Sequence, residues 1–319
     1  MFAAFATTLM QMTRILMFLV VGFGLNRLRV LPKGAGGGVS KLVTTIFLPA
    51  LLIYSNMTEF CLADVGSYSR LVLLGLLLWA VATVPSVYIA RKLAGNDDHE
   101  RGVYLYGLSF PNTGAIGTPV ILAMMGTAGL FQLNLFILTW VILTYAWGVG
   151  LFLNTERKNP VKRFLINTFN PVFISMVIGL SLGALGAKNW MPSIVTEALG
   201  DLSACYIPVS LLMAGYTIGD YPLKEVFNRP KSYVFTLLRL VVFPLLVLGA
   251  AKGIGLSLFE ASLLTFIYAG PSGMNVVVFP ASYGQDCKTG ASIVLLSSLG
   301  AILTVPMLYA FVQYLFGSM

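Results

Sequence analysis

The chain alternates long apolar runs with short polar or glycine-rich interruptions from end to end. A helix needs roughly 20 apolar residues to cross the hydrocarbon core of a bilayer. Ten runs approach that length, at about 5–26, 40–58, 69–91, 101–125, 128–153, 167–187, 196–218, 232–252, 259–283 and 289–316. The fourth and ninth runs are interrupted where a membrane helix should be continuous. The fourth holds Phe110-Pro111-Asn112-Thr113-Gly114-Ala115-Ile116-Gly117-Thr118-Pro119. The ninth holds Gly270-Pro271-Ser272-Gly273-Met274-Asn275, with Pro280 beyond it. Proline lacks an N–H and clashes with the carbonyl one turn back. In hydrocarbon, the freed backbone groups are tolerated only where protein or a water-filled cavity satisfies them.

The two interruptions sit in matching places. Pro49 and Pro208 lie 159 residues apart, as do Pro85 and Pro244; Lys92 and Lys252, Gly95 and Gly255, Glu100 and Glu260, and Pro111 and Pro271 each lie 160 apart. That register predicts an all-α membrane protein of ten transmembrane helices in two five-helix repeats. The first repeat covers 1–154, a linker 155–166, and the second repeat 167–319. Five is an odd number, so the second repeat enters the bilayer from the opposite side and the repeats are inverted. Paired broken helices in such repeats mark the substrate site of secondary transporters.

Composition agrees with a multi-pass membrane protein: 57% of the 319 residues are hydrophobic and 10% charged, against about 25% charged in ordinary soluble domains. The net charge of +8 reads as basic cytoplasmic loops rather than as a nucleic-acid surface. Lys and Arg cluster after odd-numbered spans, at Arg27, Arg29, Lys33, Lys41, Arg91, Lys92, Arg101, Arg157, Lys158, Lys162, Arg163, Lys224, Arg229 and Lys231. Positive-inside orientation then puts those loops in the cytoplasm and both termini outside, in a cell (inner) membrane.

The candidate chemistry lies at the breaks. Each interruption leaves one half-helix with free N–H groups and the other with free carbonyls. The N–H ends, with Asn112, Thr113, Gly114, Ser272, Gly273 and Asn275, make a neutral polar cradle suited to a carboxylate. The alternative is a pair of kinked helices whose amides satisfy their own backbone. Arg14 and Arg239 are charges inside spans, which are costly unless paired or watered. Arg239 would neutralise an anionic substrate, pair with an acid, or snorkel to the interface. Tyr54, Asn56, Ser210 and Tyr216 are further polar candidates on the second and seventh spans. No carboxylate sits at midmembrane; Glu100 and Glu260 open the broken spans as helix-capping acids. Enzyme chemistry finds no support: His99 is the only histidine, Cys61, Cys205 and Cys287 are scattered, and no metal set or phosphate-cradling loop is present.

Taken together, Phe47-Leu48-Pro49-Ala50-Leu51, Pro111-Asn112-Thr113-Gly114, Pro208, Pro271 to Asn275 and Tyr283-Gly284 resemble the auxin efflux carrier family. Its bacterial members are kin to plant PIN-type exporters and to malonate permeases. The resemblance covers essentially the whole chain. It implies that the fourth and ninth helices cross at Pro111 and Pro271. It also implies that a transport part moves against a scaffold part in elevator fashion, and that the cargo is an organic anion, auxin-like or dicarboxylate. Asn112 and Asn275 are the polar residues carried over at the crossing, and homodimerisation is left open. No cofactor is implied. Sodium or proton coupling stays open, with Asn112, Thr113, Ser272 and Asn275 as the oxygen donors for Na⁺. A membrane metabolite sensor that binds without transport is the alternative of another class.

Overall fold

Every backbone polar group in hydrocarbon must find a partner inside the protein, and a helix supplies those partners within one segment. The computed structural model describes residues 2–32, 35–113, 117–152, 171–220, 223–282 and 285–317, and these are nearly all helical with no strand. The expected 155–166 linker, Gly114 and the Tyr283-Gly284 pair lie outside the described residues. Five helical stretches among them are long and apolar enough to cross a membrane: Gly36–Glu59, Tyr68–Ala94, Ser193–Gly219, Pro230–Gly253 and Lys288–Phe316. Pro171–Ala184 and Leu258–Ala269 are shorter apolar helices. The molecule is an all-α, multi-pass membrane protein.

In chain order, α1 (Phe2–Arg27) is followed by α2 (Ala35–Leu42), which continues through a π-helical turn (Val43–Phe47) into α3 (Leu48–Glu59). Next come α4 (Val65–Ala94), α5 (Asp98–Ser109) and α6 (Thr118–Ala146). Then follow α7 (Pro171–Ala184), α8 (Ser193–Ala204), α9 (Tyr206–Gly219) and the short α10 (Leu223–Phe227). A second π-helical turn (Leu238–Val242) joins α11 (Pro230–Leu237) to α12 (Phe243–Gly253). The chain closes with α13 (Leu258–Ala269), α14 (Asn275–Ser282) and α15 (Lys288–Gly317).

Each π-turn ends two residues before a proline, Pro49 or Pro244. The ring of a proline collides with the carbonyl four residues back. That residue, Thr45 or Leu240, lies inside the π-turn, where the wider coil makes room and the helix bends without ending. Gly126 has φ 67° and ψ −165° and interrupts α6. This is where the sequence places the boundary between the fourth and fifth spans.

The helices pack in two groups. In one, α1 runs along α9, and α3 lies against α7 and α8. In the other, α4 packs on α5 and α6, α12 on α13, and α15 on α11 and α13. Small residues let the first group close tightly. A Cβ placed on Gly22 would stand 2.0 Å from the Leu212 carbonyl oxygen, and one on Gly215 would stand 2.0 Å from that of Leu19. Lipid tails are as apolar as leucine, so such close approach is what drives helix association in a bilayer.

Candidate functional site

The two broken helices meet at their prolines. α5 stops at Ser109 and α13 at Ala269, because Pro111 and Pro271 cannot continue the hydrogen-bond ladder. The two extended segments then pair as a single antiparallel bridge between Pro111 and Ser272. Neither proline can donate, so the neighbouring residues do. Asn112 N–H donates to the Pro271 carbonyl at 2.8 Å, and Gly273 N–H donates to that of Phe110 at 3.4 Å. Ser272 N–H donates to Ser297 Oγ of α15 at 3.1 Å. Beyond the bridge, Gly117 N–H donates to the Asn112 carbonyl at 2.8 Å, and Thr118 Oγ1 to that of Thr113 at 2.8 Å, which opens α6.

A cavity of about 490 Å³ reaches this crossing. Phe110, Pro111, Asn112, Thr113, Gly273, Met274 and Asn275 form its floor from the two breaks. Ser40, Val43, Thr44, Leu48 and Leu52 on one side, and Tyr206, Ser210, Met213, Ala214 and Thr217 on another, form walls from α2, α3 and α9. Tyr106, Thr118, Trp140, Thr144, Val172 and Val278 complete it. The volume falls in the range of small-molecule sites, and the lining has their usual makeup: mostly apolar, with a few convergent polar groups. Tyr106 was not singled out from sequence, yet its hydroxyl accepts from Asn275 Nδ2 at 2.8 Å. Its ring is held by Phe110, Phe152 and Phe279. A tyrosine five residues before the break of a broken span was the available signal.

Of the residues singled out from sequence, Asn112, Thr113, Gly273 and Asn275 come together at the cavity floor. Ser272 is fully buried in the bridge beside them, with its hydroxyl unpartnered among the described residues. Ser210 lines the wall; Asn56 is instead buried against Asn134, whose Nδ2 donates to it at 3.2 Å. Glu260 does cap its helix, in a box with Ser257, and it meets Arg70 at 3.3 Å. Glu100 N–H donates to Oδ1 of Asp97, the N-cap of α5, at 2.9 Å. Arg239 lies away from the cavity lining and has no solvent exposure, so it does not snorkel. Its Nε donates to the Gly270 carbonyl at 3.1 Å and its Nη1 to the Leu108 carbonyl at 2.8 Å. The Tyr268 ring lies against its guanidinium, 5.7 Å to the centroid. No group of three or more His, Cys, Asp or Glu suited to a metal occurs among the described residues.

Comparison with known proteins decides the class. Residues 7–164 and 161–309 match the family described as membrane transport protein, the auxin efflux carrier family. The chain belongs to this family. As an auxin efflux carrier family member it is a membrane transporter, not an enzyme, and works in a lipid bilayer. It is 21% identical over 294 residues to an uncharacterized transporter of Methanocaldococcus jannaschii, covering 91% of this chain and 94% of that protein.

Proposed function

We propose that the chain is a secondary carrier that moves a small organic anion, auxin-like or dicarboxylate, through the cavity at the helix crossing. The observation that carries this reading is the position of the 490 Å³ cavity. It lies at the seam between the two packing groups, with the amides of both broken helices on its floor. The helices that begin beyond the breaks, α6 at Thr118 and α14 at Asn275, start at its lining. Helix N-termini favour negative charge. Asn112, Thr113 and Asn275 are the proposed contacts, with Ser272 and Gly273 shaping the bridge.

Ten spans in two inverted repeats are part of the same proposal. The pairing of α1 with α9 matches that of α7 with α3, and the pairing of α4 with α5 matches that of α12 with α13, a correspondence expected of two related repeats. In the elevator reading, the group holding α4, α5, α6 and α11 to α15 is the moving part. The group of α1, α3, α7, α8 and α9 is the scaffold. Ser40, Thr44 and Thr217 lie toward the ends of their helices that join the basic loops. Positive-inside orientation makes that mouth cytoplasmic and the state inward-facing.

A thermal-shift panel on detergent-purified protein tests the site, using malonate, succinate, indole-3-acetate and neutral analogues, each in Na⁺ and in K⁺. A shift for one anion that disappears in Asn112→Ala and Asn275→Ala is the expected result, followed by uptake of that anion into proteoliposomes. A shift that survives both substitutions refutes the placement. Binding with no flux in liposomes refutes the carrier and favours a sensor.

A further inference from the structure

A buried arginine with no acid beside it needs an explanation. Arginine is always charged, and burying an unpaired charge is among the most costly things a protein can do, in a membrane above all. Arg239 has no exposure at all, and no ion pair joins it to a carboxylate among the described residues. What it does contact is main chain. Leu108 belongs to the last turn of α5, three residues before Pro111, and Gly270 is the C-cap of α13, one residue before Pro271. Both carbonyls are therefore at the negative end of a half-helix that terminates at the crossing. Each such end carries roughly half a negative charge, so two together match one guanidinium. The Tyr268 ring adds a cation–π contact.

At the opposite ends no counter-charge is seen among the described residues: the cavity lining there holds no charged side chain. The helices leaving the crossing, α6 and α14, begin at the cavity lining, and their positive ends face whatever enters. We propose that Arg239 is a specificity-determining positioning residue, an internal counter-charge that occupies the carbonyl ends of both broken helices and leaves the crossing selective for anions. Unoccupied, those two carbonyl ends are hard-oxygen groups of the kind that bind Na⁺ in broken-helix transporters. Occupied by Arg239, they are closed to Na⁺, and the net field at the cavity floor is positive. The position of Arg239 on the π-turn Leu238–Val242 is part of the device. That turn precedes Pro244, so the local widening places the guanidinium between two chain segments 31 and 131 residues away.

The inference rests on the crossing being the anion site, and the experiment separates the two. The variants are Arg239→Met, which removes the charge at similar length, and Arg239→Lys, which keeps it. The probes are charge pairs of one shape, indole-3-acetate against indole-3-acetamide and malonate against malonamide, with NaCl against KCl as a third arm. The expected result is a preference for the anion in wild type that falls at least tenfold, about 1.4 kcal/mol, in Arg239→Met and is largely kept in Arg239→Lys. A purely structural role would weaken anion and amide binding alike and leave their ratio unchanged, which overturns the proposal. The salt arm needs no substrate, and its wild-type half holds even if Arg239→Met does not fold. A Na⁺-specific stabilisation of wild type overturns the proposal, and one gained only on loss of the charge supports it. If wild type binds none of the four probes, the reading of the crossing as the anion site fails, and the salt arm still decides the role of Arg239.

Discussion

The contact between α1 and α9 yields a test in which two neighbouring glycines behave oppositely. A Cβ on Gly22 would stand 2.0 Å from the Leu212 oxygen, and real Cβ contacts essentially never fall below 3.0 Å, so Gly22→Ala pushes the helices apart by at least 1.0 Å (3.0 minus 2.0). Overpacking of that kind costs about 1–3 kcal/mol. Two residues on, Gly24 has nothing within 4 Å of the same construction. There, alanine meets no neighbour, and its helix propensity is better by up to about 1 kcal/mol. The propensity gain is common to both substitutions, so the expected gap between Gly22→Ala and Gly24→Ala is the overpacking cost, about 1–3 kcal/mol, read by titrating the protein from dodecylmaltoside into SDS and following helicity. The reciprocal contact of Gly215 with Leu19 is relieved by the same separation. Gly22→Ala with Gly215→Ala together therefore cost less than the sum of the single changes. Equal stability of Gly22→Ala and Gly24→Ala, or full additivity of the pair, would refute the close packing of these backbones.

Further outcomes follow from other sites. Ser257→Ala, which removes the capping box at α13, costs about 1 kcal/mol, whereas Arg70→Ala, losing an ion pair whose arginine is mostly exposed, costs no more than about 1 kcal/mol. An anion that binds at the crossing stabilises wild type by about 2.7 kcal/mol at 100 times its dissociation constant, and Asn275→Ala with Asn112→Ala abolishes that gain in a melting assay. Burial, and then the charge of Asp286, push the Cys287 thiol above its ordinary range. The thiolate is the reactive form, so with Cys61 and Cys205 changed to serine, alkylation of Cys287 by iodoacetamide reaches half its maximal rate at higher pH than that of N-acetylcysteine. A midpoint at or below that of N-acetylcysteine would contradict the burial.

The broken helices were legible in the sequence because proline and glycine act on the backbone within one turn, whatever surrounds them. Pro111 and Pro271 therefore announced the ends of α5 and α13 directly. Asn112 and Asn275 could be placed at the breaks for the same reason. Arg239 was visible only as a charge in an apolar run. Its partners are main-chain carbonyls 31 and 131 positions away, and main-chain groups leave no trace in a pattern of side chains. Tyr106 was missed for a related reason: its bond to Asn275 spans 169 positions, and a tyrosine in a membrane helix has no periodic signature. The ninth run is not one long helix, since its break cuts it into two short pieces, α13 and α14.

The bridge between Pro111 and Ser272 is made from main chain alone. Its two hydrogen bonds, from Asn112 to Pro271 and from Gly273 to Phe110, use no side-chain atom. The joint therefore holds its shape whichever side chains project from it, so long as the prolines break the helices and a small residue occupies 273. The side chains at 112, 113 and 275 line the cavity without contributing to these two bonds. The joint and the chemistry beside it can thus be altered independently, one at position 273 and the other at 112, 113 and 275.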